Sequence, residues 1–257
     1  MSSYSELTVI KLREIAKDKG LTGYTKLRKI DLVSLLDSQA KPIEKKKTEY
    51  DPDFLRLKHE GADIYIKLGQ LGKPGKEGTV YLVFDGDTSQ KYAMKTFRKT
   101  KSGNTLEKEA YMQYLAAKEG ISPNIIQYNP IEKYIVMETL HNTLMEILAK
   151  QNGKLTLNQQ KQIIELYQRL DSVGVMLNDA NPLNIMEKDG RFYAIDYGFA
   201  KFTNHKDFKN YPRPNYQLMP VGLLLWLKNK YPIAGFDYIR SHIDPNMAEK
   251  MELHKWL

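Results

Sequence analysis

Three polar residues in the second half of the chain have the types and spacing that phosphoryl transfer needs. Asp179 and Asn184 lie five residues apart in NDANPLNI, and Asp196 follows in IDYG. An aspartate can accept a proton from an attacking hydroxyl, and Asn and Asp oxygens suit Mg²⁺, a hard cation that also binds phosphates. Each residue alone also fits an ordinary turn, because Asp and Asn favour turns. All three in this order favour the chemical interpretation.

A glycine-rich stretch and a lysine further upstream would complete such a site. In LGKPGKEGTVYLV, Gly75 and Gly78 allow a tight turn between strands, whose backbone N–H groups can approach phosphate oxygens. Lys95 of YAMK lies on the strand that returns beneath this turn. A carboxylate is needed to hold the lysine, and Glu109 on the next predicted helix is the candidate. Glu107 faces another side of that helix and is the weaker candidate.

The elements that must position these residues follow from the hydrophobic patterns. Short β-branched and aromatic runs predict three consecutive antiparallel strands from about Ile64, with DGDTSQ as one turn. A helix over 105–118, a strand at KYIVMETL and a long amphipathic helix over LTLNQQKQIIELYQRLDSVGVM follow. Strands first and helices later predict an α+β fold with two lobes.

The first part of the chain has a different pattern. Two short helices joined by a turn that contains glycine are predicted within 4–38. The next stretch, AKPIEKKKTEYDPD, combines two prolines with a run of charges, which indicates a linker. We therefore divide the chain into a helical module at 1–39, a linker at 40–53 and a larger domain at 54–257. The first lobe of that domain would end near residue 139, and the second would begin near residue 140.

The composition excludes several classes of site. The 257 residues contain no cysteine, which excludes disulfides, thiolate zinc sites and a cysteine nucleophile. We find no apolar run long enough to cross a membrane and no secretory leader, so we expect an intracellular protein, cytoplasmic or nuclear, with no membrane partner. Residues 1–50 hold eleven Lys or Arg against seven Asp or Glu, a net charge of 11 − 7 = +4. This is half of the net charge of +8 of the whole chain. A basic N-terminal module is therefore expected.

These motifs together resemble the protein-kinase-like superfamily. GKPGKEGTVYLV, YAMK, YIVMETL, NDANPLNI and IDYG look like its glycine loop, β3 lysine, hinge, catalytic loop and DFG motif, in family order across residues 65–201. The resemblance implies a two-lobed fold and a transferase that uses ATP and Mg²⁺ to phosphorylate Ser or Thr of a protein substrate.

The resemblance also implies a role for each matching residue. Asp179 would be the base, Lys95 would contact the α- and β-phosphates, and Glu109 would anchor that lysine. Asn184 and Asp196 would bind the metal. Met137 would be the gatekeeper in front of the hinge, and the full set implied for ATP binding is Gly75, Gly78, Val80, Ala93, Lys95, Met137, Glu138 and Leu140.

Several positions depart from the family pattern. The first family glycine falls at Lys73, and the catalytic-loop His and Arg are Leu177 and Asn178. The usual lysine two residues after the base is Asn181, and no APE motif follows. The short remainder after IDYG predicts a truncated helical lobe. This resembles compact atypical kinases such as the RIO type or the small kinases of large DNA viruses, for which the location would be the host cell or the virion.

The N-terminal segment is similar to SAP and Rho-amino-terminal helix-extended-helix modules. In those modules the basic second helix and the loop before it often touch nucleic acid, so Lys26, Arg28 and Lys29 would be the phosphate contacts here. A small protein-binding or spacer module with a solvated basic face explains the same residues equally well.

Three functions stay open at this point for the larger domain. The first is a protein serine/threonine kinase, because the acid, metal and lysine positions are all present. The second is a pseudokinase scaffold that binds ATP without transferring phosphate. The third is a small-molecule kinase of the same fold.

Overall fold

The structure is a computed structural model that describes residues 4, 6–21, 23–38, 50–61 and 65–250. The chain divides into two compact units, Met1–Glu49 and Tyr50–Leu257. Residues 40–49 of the predicted linker lie outside the described residues. Its last four residues belong to the second unit, where a helix spans Pro52–Arg56 with Asp51 as its N-cap. Asp and Pro favour helix starts as well as linkers, which is why the sequence pattern placed this boundary too late.

The first unit contains two helices, α1 (Val9–Asp18) and α2 (Lys29–Ser38). The side chain of Thr8 caps α1 by accepting a hydrogen bond from the backbone N–H of Lys11. A small core joins the helices, and its fully buried members are Leu12, Ala16, Leu32 and Leu36. This is the two-helix module that the apolar spacing predicts.

The second unit begins with α3 (Pro52–Arg56) and a five-stranded antiparallel sheet. The strands are β1 (Tyr65–Leu71), β2 (Gly78–Asp85), β3 (Gln90–Phe97), β4 (Ile125–Asn129) and β5 (Tyr134–Met137). They lie in the order β1-β2-β3-β5-β4. Helix α4 (Gly103–Lys118) packs on this sheet and starts two residues earlier than predicted, because Ser102 is its N-cap. The three predicted consecutive strands are β1, β2 and β3; Ile64 itself lies outside the described residues.

The rest of the second unit is mainly helical. Its longest helix, α6, begins at Leu157 after the N-cap Thr156 and ends at Val173, where Gly174 takes a positive φ of 81°. The helices are α5 (Leu144–Lys150), α6 (Leu157–Val173), α7 (Pro214–Leu227), α8 (Asp237–Arg240) and α9 (Pro245–Lys250). The short strands are β6 (Asn142–Thr143), β7 (Val175–Met176), β8 (Ile185–Lys188), β9 (Arg191–Ala194) and β10 (Lys201–Phe202).

The two parts of the second unit have separate hydrophobic cores. In the helical part, side chains of α6 and α7 such as Tyr167, Leu170 and Leu223 are fully buried. The predicted lobe boundary near residues 139 and 140 falls in the segment between β5 and β6. This is the α+β, two-lobed architecture that the sequence predicts.

Among the described residues, no helix combines the length and the apolar character needed to span a membrane.

Candidate active site

The glycine-rich turn connects β1 and β2 and is held by backbone hydrogen bonds. The N–H of Gly75 donates to the carbonyl of Gly78 over 2.8 Å, and the N–H of Arg98 donates to the carbonyl of Glu77 over 3.0 Å. A Cβ atom at Gly78 would lie 2.0 Å from the carbonyl oxygen of Thr96, so only glycine fits there. The turn therefore lies directly against the end of β3.

Lys95 lies on β3 between two carboxylates. Its Nζ is 2.7 Å from Oε1 of Glu109 and 2.7 Å from Oδ1 of Asp196, although Asp196 is 101 residues away in sequence. Burial disfavours the charged lysine, but the two carboxylates outweigh burial and raise the pKa of Lys95. Burial likewise opposes the charged form of Asp196, but Lys95 outweighs it and lowers the pKa of that carboxyl. Both groups are therefore charged at neutral pH.

Glu109, rather than Glu107, is the helix carboxylate that meets the lysine. The Glu109 side chain is only 3% exposed, and its Oε1 accepts a hydrogen bond from Lys95. Glu107 points elsewhere, because its Oε1 accepts a hydrogen bond of 3.3 Å from the Tyr128 hydroxyl. The structure thus places Glu109, and not Glu107, against Lys95.

Lys101 also reaches this site, although no sequence pattern singles it out. Its Nζ is 2.8 Å from Oε2 of Glu77 and also contacts Oε2 of Glu109. Carboxylate oxygens of Glu77, Glu109 and Asp196 all lie within 4.8 Å of one another. Lys101 lies in an irregular turn just before α4, where no periodic pattern indicates the direction of a side chain.

Asp179 and Asn184 are brought together by the loop after β7. The Asn184 amide nitrogen donates to Oδ2 of Asp179 over 2.9 Å, and the N–H of Asn181 donates to Oδ1 of Asp179 over 3.2 Å. Within the described part of the chain, no hydrogen bond to Oδ1 of Asn184 is found. The N–H of Ile195 donates to the carbonyl of Asn184, which places this loop beside the segment that carries Asp196.

The metal-type donors of the site are therefore an amide oxygen and carboxylate oxygens. Asp196 has a positive φ of 62°, a conformation that Asp tolerates better than most residues. Gly198 approaches the glycine-rich turn, since a Cβ there would be 2.6 Å from Oε2 of Glu77. Oxygen donors from Asn184 and Asp196 are of the kind that a hard divalent cation takes.

A buried asparagine that no sequence pattern singles out supports the loop that carries Asp179 and Asn184. Asn215 at the start of α7 is fully buried; its Oδ1 accepts from the N–H of Leu177, and its Nδ2 donates to the carbonyl of Val175. Asp171 of α6 holds Asn215 in turn by accepting from its backbone N–H and its amide. These bonds fix the backbone two residues before Asp179.

The strand β5 and the segment after it form the predicted adenine end. Met137 is buried and pairs in register with Ala93 of β3, and Gln113 of α4 donates to its sulfur. The N–H of Glu138 is used within the protein, since it donates to the carbonyl of Asn124. The N–H of Leu140 makes no backbone hydrogen bond among the residues that the structure describes. Val80 of β2 pairs in register with Lys95.

In the first unit, the three predicted phosphate contacts are exposed. Lys26 ends a short 3₁₀ turn, and Lys29 is the first residue of α2. The Arg28 side chain is 85% exposed and forms an ion pair with Asp31, with 3.2 Å between Nε and Oδ2.

Comparisons with known proteins agree with this geometry. Residues 65–217, more than half of the chain, match the protein kinase domain, and residues 4–44 match the N-terminal domain of Rho termination factor. The serine/threonine-protein kinase mph1 of Schizosaccharomyces pombe is 29% identical over 181 residues, which are 64% of this chain and 25% of that protein. The serine/threonine-protein kinase tricornered of Drosophila melanogaster is 27% identical over 194 residues, 68% of this chain and 41% of that protein. The chain thus spans less than half the length of these relatives, but by its fold, its site and the family match it belongs to the protein kinases.

Proposed function

We propose that this chain transfers the γ-phosphoryl group of ATP, with Mg²⁺, to Ser or Thr hydroxyls of protein substrates. The observation that carries this proposal is Lys95, whose Nζ lies 2.7 Å from both Glu109 and Asp196. A lysine fixed between a helix carboxylate and a metal-type carboxylate is the arrangement that phosphoryl transfer in this family requires. The likeness to two serine/threonine-protein kinases supports a protein substrate.

The residues around Lys95 would bind and orient the phosphates of ATP. The Lys95 ammonium would donate to α- and β-phosphate oxygens, while Glu109 keeps the ammonium from swinging away. The backbone N–H groups of the turn between Gly75 and Gly78 would approach the phosphates from the other side. Leu140, whose N–H has no backbone partner among the described residues, would present it to adenine.

The donor set also fits Mg²⁺. Asp196 and the free amide oxygen of Asn184 would hold the ion, which when bound neutralises phosphate charge during transfer. Asn184 can do this because its nitrogen is committed to Asp179, so its oxygen is the atom left to ligate.

Asp179 would accept the proton of the substrate hydroxyl. Hydrogen bonds from Asn184 to Oδ2 and from the N–H of Asn181 to Oδ1 fix the plane of its carboxylate. Each oxygen keeps a lone pair for the incoming proton. Asn215 holds the backbone of this loop in place through Leu177.

The test is transfer of label from γ-labelled ATP, with Mg²⁺, to a generic protein substrate. Asp179→Asn is expected to lower transfer by about 1,000-fold, or roughly 4 kcal/mol in the barrier, while ATP still binds. Asp189→Asn, an exposed position with a φ of 52°, is the matched control and should transfer like the parent. ATP binding without transfer by the parent would instead indicate a pseudokinase scaffold, and transfer to small molecules alone would indicate a small-molecule kinase.

For the first unit we propose nucleic-acid binding through Lys26, Arg28 and Lys29. Their exposure on a basic two-helix module supports this, together with the likeness to the N-terminal domain of Rho termination factor. Replacing all three by Glu should abolish salt-sensitive binding to single-stranded or duplex oligonucleotides. The control replaces Lys17 and Lys19 by Glu. An equal loss of nucleic-acid affinity in that variant would mean that the net charge of the module, and not these three residues, accounts for binding. ATP turnover should stay the same in both.

A further inference from the structure

A second lysine lies in the part of the site that is proposed to bind phosphate. The Lys101 side chain is only 9% exposed, and its Nζ pairs with Glu77 and Glu109 and lies 4.4 Å from the centre of the Phe97 ring. Lys95 lies near the same ring, at 4.9 Å. Two ammonium groups therefore enter one partly buried site, although the proposed chemistry assigns a role to Lys95 alone.

Glu109 is shared between these two lysines. Lys95 pairs with its Oε1, and Lys101 pairs with its Oε2. A buried carboxylate with a charged donor on each oxygen has one orientation, whereas a carboxylate with one donor keeps an unsatisfied oxygen and can rotate. Lys101 therefore helps to aim the carboxylate that holds Lys95.

Glu77 connects Lys101 to the glycine-rich turn. Its backbone carbonyl accepts from the N–H of Arg98, and its side chain accepts from Lys101 over 2.8 Å. The same side chain lies against Gly198, after Asp196. The ion pair thus ties the tip of the turn to the start of α4 and to the segment that carries Asp196.

Charge explains why such a tie is needed. Glu77, Glu109 and Asp196 bring three carboxylates within 4.8 Å of one another, at the place where anionic phosphates would bind. Lys95 alone would leave that cluster with two excess negative charges, which would repel phosphate at short range. Lys101 removes one of these charges.

We propose that Lys101 is a positioning residue of the nucleotide site, which pairs with Glu77 and Glu109 and removes one negative charge from the cluster, so that the site accepts the phosphates of ATP. The inference rests on the proposed function only through ATP binding. Lys101 acts through the two carboxylates, and the effect of losing it is therefore specific to ligands that carry phosphate.

The experiment measures the dissociation constants of ATP with Mg²⁺ and of adenosine by calorimetry. Lys101→Met should weaken ATP binding at least tenfold and leave adenosine binding within about twofold, because adenosine carries no phosphate and a tenfold change is about 1.4 kcal/mol. Lys101→Arg should restore ATP binding. Lys99→Met, an exposed neighbour, is the matched control and should bind both ligands like the parent.

The carboxylate partner gives a second, opposite readout. In the Lys101→Met background, Glu77→Gln should recover part of the lost ATP affinity, because it removes the carboxylate left without its cation. If Lys101→Met also loses adenosine binding, the two dissociation constants are measured for Lys101→Gln instead. This variant removes the charge but keeps a hydrogen-bond donor. Parent-like ATP affinity in Lys101→Met or Lys101→Gln, or no recovery by Glu77→Gln, would overturn the inference. A parent protein that binds ATP but transfers nothing would overturn the proposed kinase activity alone.

Discussion

Helix α4 contacts two clusters of opposite character. The charged cluster, formed by Glu77, Lys95, Lys101, Glu109 and Asp196, lies where the phosphates of ATP are proposed to bind. The aromatic cluster consists of Tyr50, Phe54, Tyr111, Tyr114 and Tyr128. Phe54 is fully buried and stacks on Tyr128 with 4.6 Å between ring centres and 7° between ring planes. Tyr50 and Phe54 come before residues 65–217, the part that matches the kinase domain.

The difference between the clusters is one of physical mechanism. Burial of aromatic rings contributes strongly to stability, and this contribution depends mainly on the apolar area removed from water. It can therefore stabilise the position of a helix without fixing the position of any single atom. Ion pairs in a cleft contribute little net stability, because desolvation offsets attraction, but they fix the positions of charges. We therefore expect changes in the aromatic cluster to alter stability and changes in the charged cluster to alter binding and rate.

The largest expected effect is on the aromatic side. Phe54→Ala should lower the free energy of unfolding by about 3–5 kcal/mol, because it removes a fully buried ring and leaves a cavity. Urea denaturation measures this. Leu55→Ala, at a neighbouring position that is 46% exposed, is the control and should change stability by less than about 0.5 kcal/mol. Equal losses in the two proteins would show that α3 does not anchor α4.

On the charged side, Glu109→Gln should lower kcat/KM about 100-fold, or roughly 2.7 kcal/mol in the barrier. The free energy of unfolding should fall less than in Phe54→Ala, because Lys95 remains paired with Asp196 and Lys101 remains paired with Glu77. Glu107→Gln on the same helix is the control for steady-state kinetics. A comparable loss of rate there would mean that the two glutamates act through the stability of α4 instead of through Lys95.

A smaller effect is expected from removing the hydrogen bond between the Tyr128 hydroxyl and Glu107, which links Glu107 to the aromatic cluster. Tyr128 is fully buried, and burial, followed by the nearby charge of Glu107, raises the pKa of its hydroxyl. Tyr128→Phe removes the 3.3 Å bond and should cost about 1 kcal/mol of unfolding free energy. The double variant with Glu107→Gln should lose less stability than the sum of the two single variants, because both remove the same bond; additive losses would show that the pair is not coupled.

The smallest effect depends on pH and concerns the rim of the aromatic cluster. A hydrogen bond from Lys118, and next the N–H of Asp53, lower the pKa of Asp51. Because the folded state favours the carboxylate, its stabilisation is complete above the unfolded pKa of about 4 and is lost as pH falls through the lowered folded value. Asp51→Asn keeps the helix cap but loses the charge that pairs with Lys118. It should therefore be less stable than the parent at pH 7, and the difference should shrink as pH falls below about 4. A difference that does not change with pH would contradict this.

Local pattern was enough for the strands and for the order of the motifs. Alternating β-branched and aromatic residues predicted β1, β2 and β3, and apolar spacing predicted α4 and α6. Helix ends were less accurate, because Ser102 and Thr156 cap their helices through single side-chain hydrogen bonds that periodicity does not reveal. The start of the second unit was missed for the same reason, since Asp51 and Pro52 suit a linker and a helix start alike.

By itself, the sequence determined which chemical groups are present and in which order the chain presents them: a glycine-rich turn, Lys95, Glu109, Asp179, Asn184 and Asp196. Only the tertiary structure decided three further contacts. Lys101 enters the charged cluster, Asn215 supports the loop that carries Asp179, and Phe54 packs against α4. These contacts join an irregular turn, a helix start and a short helix to distant elements. Local periodicity reports which face of an element is apolar, but the partner of a single polar or aromatic side chain depends on how those elements pack.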